Sequence, residues 1–332
     1  MPLSVNSSLA SVEIFAYKLA MMPYSPFAFR KGFILKLKDR LGHTGYGEIS
    51  PLPGWSRETL EDVKKELSLL KESSIQKISP IPSVAFGQES ALEQLKASAA
   101  NEANLLSQRN PCTAFLLAGS KNDILKKSEN LPSQSYVKIK LSSLPIQEAV
   151  CLVNQMLENA FSIALDINEA WEKETALDFC RSFPPSSFRY IEEPVKDLKD
   201  YLWLAERTDH PFALDEKLRV LPLEDAAKIP RIKAWILKPT LMGGISICRL
   251  YAKAAQKNHI AVHLSSSFET GIGIWQILDA FLRNEEFQNP LGIDTMDFFA
   301  QDLLADPITF TKEGKILRPE KIHLNTNLCQ IL

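Results

Sequence analysis

A chain of 332 residues has room for one large domain or two. Its 45% hydrophobic and 23% charged content is that of a globular protein, and a net charge of −2 with no basic run argues against nucleic acid as a partner. Five scattered cysteines (Cys112, Cys151, Cys180, Cys248 and Cys329) without C-x-x-C spacing argue against a disulfide framework or a zinc site and fit a reducing cytosol.

No apolar run reaches the roughly 18 residues of a membrane span. The first apolar stretch lacks a basic lead and is broken by Glu13, so no secretory signal is expected. The expected location is cytoplasmic.

In chain order, residues 11–19 alternate partly and 33–38 more cleanly, as half-buried strands do. Between them lies a loop, 21–31, rich in Pro, Phe and Tyr, with Arg30 near its end. Such a loop either covers a ligand or packs on a neighbouring domain. The glycines and prolines from Gly45 to Gly54 mark a strand end and turns. Ser56 is placed to cap a helix running to about residue 72, with Leu60, Val63, Leu67 and Leu70 on one stripe. A connector with two prolines leads to a second helix, 83–107. Residues 1–108 thus read as a small α+β unit.

Asn110 and Pro111 mark a boundary. Beyond it, apolar runs recur about one βα unit apart, and each ends in a polar residue. The run at 136–139 ends in Lys140, 161–165 in Asp166, 188–191 in Glu192, 211–214 in Asp215, 234–237 in Lys238 and 260–264 in Ser265. A shorter run at 113–117 precedes them, and a weak eighth lies near 292–297. Amphipathic segments at 121–129, 145–158, 173–181, 196–207, 223–228, 245–257 and 269–284 fill the gaps. Continuous apolar runs are parallel strands buried on both faces, and polar residues at their C-terminal ends are where a (β/α) barrel carries its active site. The expected class is α/β plus α+β. A modified TIM-type barrel (109–297) follows a capping domain (1–108), and a C-terminal segment (298–332) with short runs at 308–310 and 316–317 returns to complete that domain.

Asp166, Glu192 and Asp215 close three consecutive strands, so three carboxylates converge. Like charges drive pKa values up, and a hard divalent cation with all-oxygen ligation, Mg²⁺ rather than zinc, resolves the conflict. Glu192–Glu193 and Asp215–Glu216 are parity pairs whose members face opposite ways; the ladder spacing selects Glu192 and Asp215. Asn168 shares the face of Asp166 and is placed to bond the metal site or substrate. Lys138 and Lys140 share one inward face, and Lys238 approaches from across the ring. A partly desolvated lysine beside other cations is expected to have a lowered pKa and to serve as a general base. A metal between two opposed lysines suits abstraction of a proton α to a carboxylate through an enediolate. His263, in an apolar strand, reads as a packed core histidine.

Lys138-x-Lys140, Asp166-x-Asn168, Glu192-Glu193-Pro194, Asp215-Glu216 and Lys238-Pro239-Thr240 resemble the enolase superfamily, muconate-lactonizing subgroup. The segments Gly45–Gly54, Ser56-x-Glu58-Thr59, Pro82–Gly87 and Ser265-Ser266-Ser267-Phe268-Glu269 resemble the o-succinylbenzoate synthase family within it. That resemblance spans nearly the whole chain.

It implies a lyase of menaquinone biosynthesis that removes water from 2-succinyl-6-hydroxy-2,4-cyclohexadiene-1-carboxylate, a small-molecule carboxylate. It also implies Lys140 as base, Lys238 as the cation facing the enediolate, and Asp166, Glu192 and Asp215 on Mg²⁺, with Mn²⁺ a substitute. Lys138, Asn168, Ser265, Ser266, Ser267 and Arg30 are the expected substrate contacts. Members often carry an arginine where this chain has Ala164, which puts one substrate contact in doubt. The same site also suits an N-acylamino acid racemase or dipeptide epimerase, and a non-catalytic barrel binding acidic metabolites is the reading from another class. No oligomeric interface is legible, and a monomer is compatible with the sequence.

Overall fold

The computed structural model describes residues 9–70, 75–100 and 109–332. Three strands, β1 (Leu9–Ala20), β2 (Phe29–Asp39) and β3 (Thr44–Ile49), form an antiparallel meander, and β13 (Cys329–Ile331) adds to its edge beside β1. Alternate residues of β2 and β3, among them Phe33, Leu35, Leu37 and Ile49, bury one face of this sheet.

Helix α1 (Leu60–Leu69) covers that face with Val63 and Leu67. Its cap is Thr59 in a reciprocal box with Asp62, not Ser56, whose hydroxyl instead accepts from the Leu52 amide in the preceding turn. The ends predicted for the first two helices, near 72 and 107, lie outside the described residues.

Helix α2 (Pro82–Ala100) is buried nearly all round its first half because it lies between the cap sheet and the barrel's short helix α8 (Pro239–Met242). The sheet approaches it at van der Waals limit. A Cβ built on Gly47 would stand 1.9 Å from the Gly87 carbonyl oxygen, and one on Gly45 2.0 Å from that of Ala91. Glycine is required there by the close approach of helix to strand.

The second unit is a seven-stranded parallel sheet in sequential order: β4 (Phe115–Leu117), β5 (Tyr136–Lys140), β6 (Ser162–Asp166), β7 (Tyr190–Glu192), β8 (Phe212–Leu214), β9 (Ile232–Leu237) and β10 (Ala261–Leu264). Its two edges meet through the weak eighth segment. Leu291 bridges Thr113 beside β4, and Gly292 bridges Ser265 after β10, which curls the sheet into a barrel. The outer helices α3 (Lys121–Ser128), α4 (Ile146–Glu158), α5 (Lys173–Arg181), α6 (Leu198–Ala205), α7 (Leu223–Ala226), α9 (Ile245–Lys257) and α10 (Gly271–Arg283) pack apolar side chains against the strands. Inside, a layer of small residues, Ala164, Ala213 and Ala234, packs with Tyr190 and Ile236. Ala164 is fully buried in that layer.

The short runs late in the chain divide. Strands β11 (Thr309–Phe310) and β12 (Ile316–Leu317) make a hairpin of their own that bridges Cys112 at the start of the barrel, whereas β13 pairs with β1, and Phe299 and Ala300 meet the chain at the end of β1. Among the described residues no helix is long and apolar enough to cross a membrane.

Candidate active site

In parallel pairing, residues of equal register stand side by side. Lys140 pairs with Asp166, and Asp166 with Glu192, so three chemically active side chains share one level at the C-terminal ends of β5, β6 and β7. Asp215 and Lys238 follow immediately after β8 and β9.

Backbone geometry separates the parity pairs. Glu193 has φ +40°, and its carboxylate leaves the barrel axis to accept from the Asp215 amide (2.9 Å), the Lys217 amide (3.0 Å) and the Lys217 ammonium (2.6 Å). Glu193 is therefore spent on holding the β8 turn, while Glu192 points at Lys138. Asp215 meets the Lys238 ammonium. Glu216 is half-buried, but both its carboxylate oxygens are buried and unpartnered among the described residues, and burial, then the Asp215 charge, pushes it up to about 8.

The lysines and carboxylates form one network. Lys138 Nζ stands 3.0 Å from Asp166 Oδ2 and 2.7 Å from Glu192 Oε1. Lys140 Nζ lies 3.7 Å from Asp166 Oδ2 and donates to Asn168 Oδ1 at 3.0 Å, while the Asn168 amide donates to Asp166 Oδ1 at 3.2 Å. Burial works against the Asp166 anion, but Lys138, then Lys140 and Lys238, hold it down at about 2. Glu192 is raised by burial first and the Asp166 charge second, outweighing Lys138.

The lysines behave differently from the sequence expectation. Burial alone lowers them, yet Asp166, Glu192 and Asp215 raise Lys138, and Asp215 with Glu216 raise Lys238. Carboxylates surround both ammoniums more closely than other cations do, so neither is depressed in this arrangement.

Above the network lies a cavity of about 200 Å³. Lys138, Lys140, Asp166, Asn168 and Lys238 form its polar floor; Ser265, Ser266, Ser267 and Thr295 add hydroxyls, and Phe27, Leu52, Trp55 and Phe268 add apolar surface. Strands β6, β7 and β8 separate β5 from β9, so Lys140 and Lys238 enter from opposed walls. The Lys238 ammonium also lies 5.9 Å from the centre of the Trp55 ring. Ser265 Oγ donates to the Gly292 carbonyl and Ser266 Oγ bonds Thr295 Oγ1, but Ser267 Oγ is buried with no partner among the described residues. A larger hollow of about 620 Å³, between α2, α10 (Gly271–Arg283) and the C-terminal segment, carries none of the strand-end residues.

One expected contact is elsewhere. Arg30 is fully buried and lines no part of the cavity; its guanidinium donates to backbone carbonyls of Ser50, Pro51, Ser267 and Phe268. Its position near the end of the 21–31 loop was legible, but its direction was set by carbonyls about 20 and 240 residues away. Conversely, Phe27, Trp55, Asp294 and Thr295 line the cavity although the strand-end pattern does not mark them. Trp55 sat in a recognised turn, whose aromatic residue was the available signal. Asp294 is recruited by the Leu116 amide (2.8 Å) and Lys127 (3.4 Å), which no local pattern announces.

Against known families, residues 133–322 match the model described as enolase C-terminal domain-like, and residues 10–95 match that of MenC, N-terminal domain. The o-succinylbenzoate synthase of Vibrio cholerae is 32% identical over 290 residues, covering 82% of this chain and 84% of the relative. This chain belongs to the o-succinylbenzoate synthase family of the enolase superfamily.

The family's Aliivibrio fischeri member is 29% identical over 316 residues, covering 89% of this chain and 93% of the relative. Among solved structures, a dipeptide epimerase from Cytophaga hutchinsonii, complexed with Mg and the dipeptide D-Ala-L-Val, superposes with a TM-score of 0.81 at 18% identity, covering 98% of this chain and 99% of that one. A muconate lactonizing enzyme from Pseudomonas fluorescens gives 0.77 at 19%, covering 98% and 100%. At those identities the likeness is one of fold, and it places this family member in the modified-barrel architecture with an N-terminal antiparallel unit.

Proposed function

We propose that this chain is a Mg²⁺-dependent o-succinylbenzoate synthase of menaquinone biosynthesis. It eliminates water from 2-succinyl-6-hydroxy-2,4-cyclohexadiene-1-carboxylate to give o-succinylbenzoate. The observation that carries the reading is the pair of lysines, Lys140 and Lys238, entering one small cavity from opposed walls above Asp166, Glu192 and Asp215.

The residues fit a divalent cation. The donors are all carboxylate oxygen, which suits Mg²⁺, and Glu192 Oε2 is buried with no hydrogen-bond partner among the described residues. Lysine ammoniums now stand against all three carboxylates, and among the described residues no three such groups are gathered into a closed ligand set. Asp166, Glu192 and Asp215 would hold the ion, which when bound supplies counter-charge to the oxygens of the substrate carboxylate.

The chain's own residues do the rest. Lys140, as the free amine, takes the proton from C1, and the electron pair moves into the carboxylate to form the enediolate. The pair then returns to form the new ring double bond as the C6–O bond breaks. The Lys140 ammonium passes its proton to the departing hydroxide on the same face, so one molecule of water leaves. Lys238, protonated, faces the developing negative charge from the other wall. Asn168 orients Lys140 through its 3.0 Å bond, and Lys138 holds Asp166 and Glu192 apart at its two bonds. Ser265, Ser266 and Ser267 offer hydroxyls to the succinyl end. The partner is a small carboxylate; cytosolic location fits the reduced cysteines.

The test is loss of diene absorbance with Mg²⁺ and then with chelator. Metal-dependent loss in the wild type that disappears in Lys140→Ala supports the reading. No loss, but deuterium exchange into N-acylamino acids or dipeptides, favours the racemase or epimerase, a reading supported by the presence of both lysines. Ligand binding with neither activity would point to the non-catalytic barrel.

A further inference from the structure

The loop between β10 and α10 carries Ser265, Ser266, Ser267 and Phe268 into the cavity, and the turns after β3 carry Leu52 and Trp55. These walls belong to different units of the fold, and beyond the strand-end pairing of Ser265 and Ser266 with Leu237 and Gly292 neither lies in a strand or a long helix. Two buried charges of the cap sheet cross the gap. Arg30, 1% exposed, donates from Nε to the Phe268 carbonyl (2.8 Å), from Nη1 to that of Pro51 (2.6 Å), and from Nη2 to those of Ser50 (2.5 Å) and Ser267 (3.3 Å). One planar fork thus ties both walls together. Glu48, fully buried, accepts from the Thr270 amide (3.1 Å), the Thr270 hydroxyl (2.6 Å), the Gly273 amide (2.8 Å) and the Tyr17 hydroxyl (2.7 Å).

Among the described residues neither charge forms an ion pair, so both are compensated by the dipoles of the backbone they bind, and Glu48 also by the N-terminus of α10. Such bonds fix geometry: removing the Arg30 guanidinium leaves buried carbonyls unsatisfied on both walls at once, and removing the Glu48 carboxylate leaves the Thr270 and Gly273 amides unsatisfied at the start of α10, where the serine wall ends. The strand-end lysines and carboxylates make no bond to either residue.

We propose that Arg30 and Glu48 are positioning residues for the reaction, a cross-unit clamp that fixes the serine wall against the Leu52 and Trp55 wall and so sets the width of the cavity that receives the substrate. Neither touches the reacting atoms. A clamp of this kind governs how tightly the substrate is held and leaves the proton transfer at Lys140 to the barrel. Its kinetic consequence rests on the synthase reading; its structural consequence does not.

The experiment uses the full chain with Arg30→Lys, Arg30→Ala and Glu48→Gln, the last an isosteric change that keeps the clamp testable should an Arg30 variant fail to fold. Hydrogen exchange read by mass spectrometry is expected to quicken about tenfold or more in 50–56 and 265–270, with 136–140 and 162–166 unchanged. KM for the diene is expected to rise about tenfold or more while kcat changes by less than about threefold, and millimolar guanidinium is expected to lower the raised KM of Arg30→Ala. Exchange that quickens evenly along the chain, a kcat that falls with KM unmoved, or no change in either measurement would overturn the clamp. A wild type that neither turns over the diene nor binds o-succinylbenzoate would overturn the synthase reading, and the exchange pattern would still decide the clamp.

Discussion

Lys138 and Lys140 lie two residues apart on one strand, yet their surroundings give them different work. Lys138 is caught between two carboxylates and is mostly buried, whereas Lys140 is held by the neutral Asn168 and its side chain is 35% exposed toward the cavity. Lys140→Ala is expected to lower kcat by at least about a hundredfold, the usual weight of a general base, in a protein that still folds and binds product. Lys138→Met leaves Asp166 and Glu192 opposed without their shared cation. In metal-free buffer it is expected to destabilise the fold by about 3 kcal/mol or more, read by urea unfolding. The lysine ladder was legible residue by residue in the sequence. The sign of the lysine shifts was not, because it depends on distances to three other strand ends.

His263 gives the fold a pH dependence of its own. It is buried in the barrel with its ring stacked on Tyr136 and its Nδ1 bonded to the Pro290 carbonyl. Burial drives its pKa down from 6.5 to about 4. The sign follows. Below pH 6.5 the unfolded chain takes up a proton that the native state refuses until about 4, so stability is full above 6.5 and falls as pH drops through that window. His263→Phe is expected to flatten the decline between pH 6.5 and 4.5 by about 2 kcal/mol in urea titrations at each pH. An unchanged slope would remove His263 from the account.

At the scale of elements, the informative contact is β3 on α2. Gly47 meets the Gly87 carbonyl so closely that a methyl group has no room, and the obstacle is backbone on both sides. Gly47→Ala is expected to cost about 3 kcal/mol, at the upper end of overpacking, with a lower urea midpoint and loss of activity only in proportion to unfolding. The sequence marked Gly45 and Gly47 as the end of a strand. Their true reason, a helix some forty residues onward laid across them, has no local signature. Strand ends and helices were legible because burial on both faces imposes continuous apolar runs; caps were less so, as the exchange of Ser56 for Thr59 shows.

For the whole molecule, the spacing of the ladder carried the barrel because each βα unit needs a similar length of chain to cross the sheet. The closing contacts, through Leu291 and Gly292, depend on two single bridges and were correspondingly faint in sequence. A divalent ion that binds only the folded ladder must stabilise it. Saturating Mg²⁺ is expected to raise the melting temperature by a few degrees, EDTA to reverse this, and Asp166→Asn to abolish it; at a hundred times Kd the gain is about 2.7 kcal/mol. A melting temperature indifferent to Mg²⁺ would count against the carboxylates as its ligands.

The edge strand β13 bears on how the molecule is made. Phe15 pairs with Ile331, so the outermost ladder of the first sheet closes across about three hundred residues, among the slowest contacts a chain makes. Every barrel strand lies between the two partners in sequence. The meander therefore keeps β1 as an open edge until the barrel has brought β13 back to it. During that interval its free amides and carbonyls are the surface a chaperone, or another copy of the nascent chain, meets first.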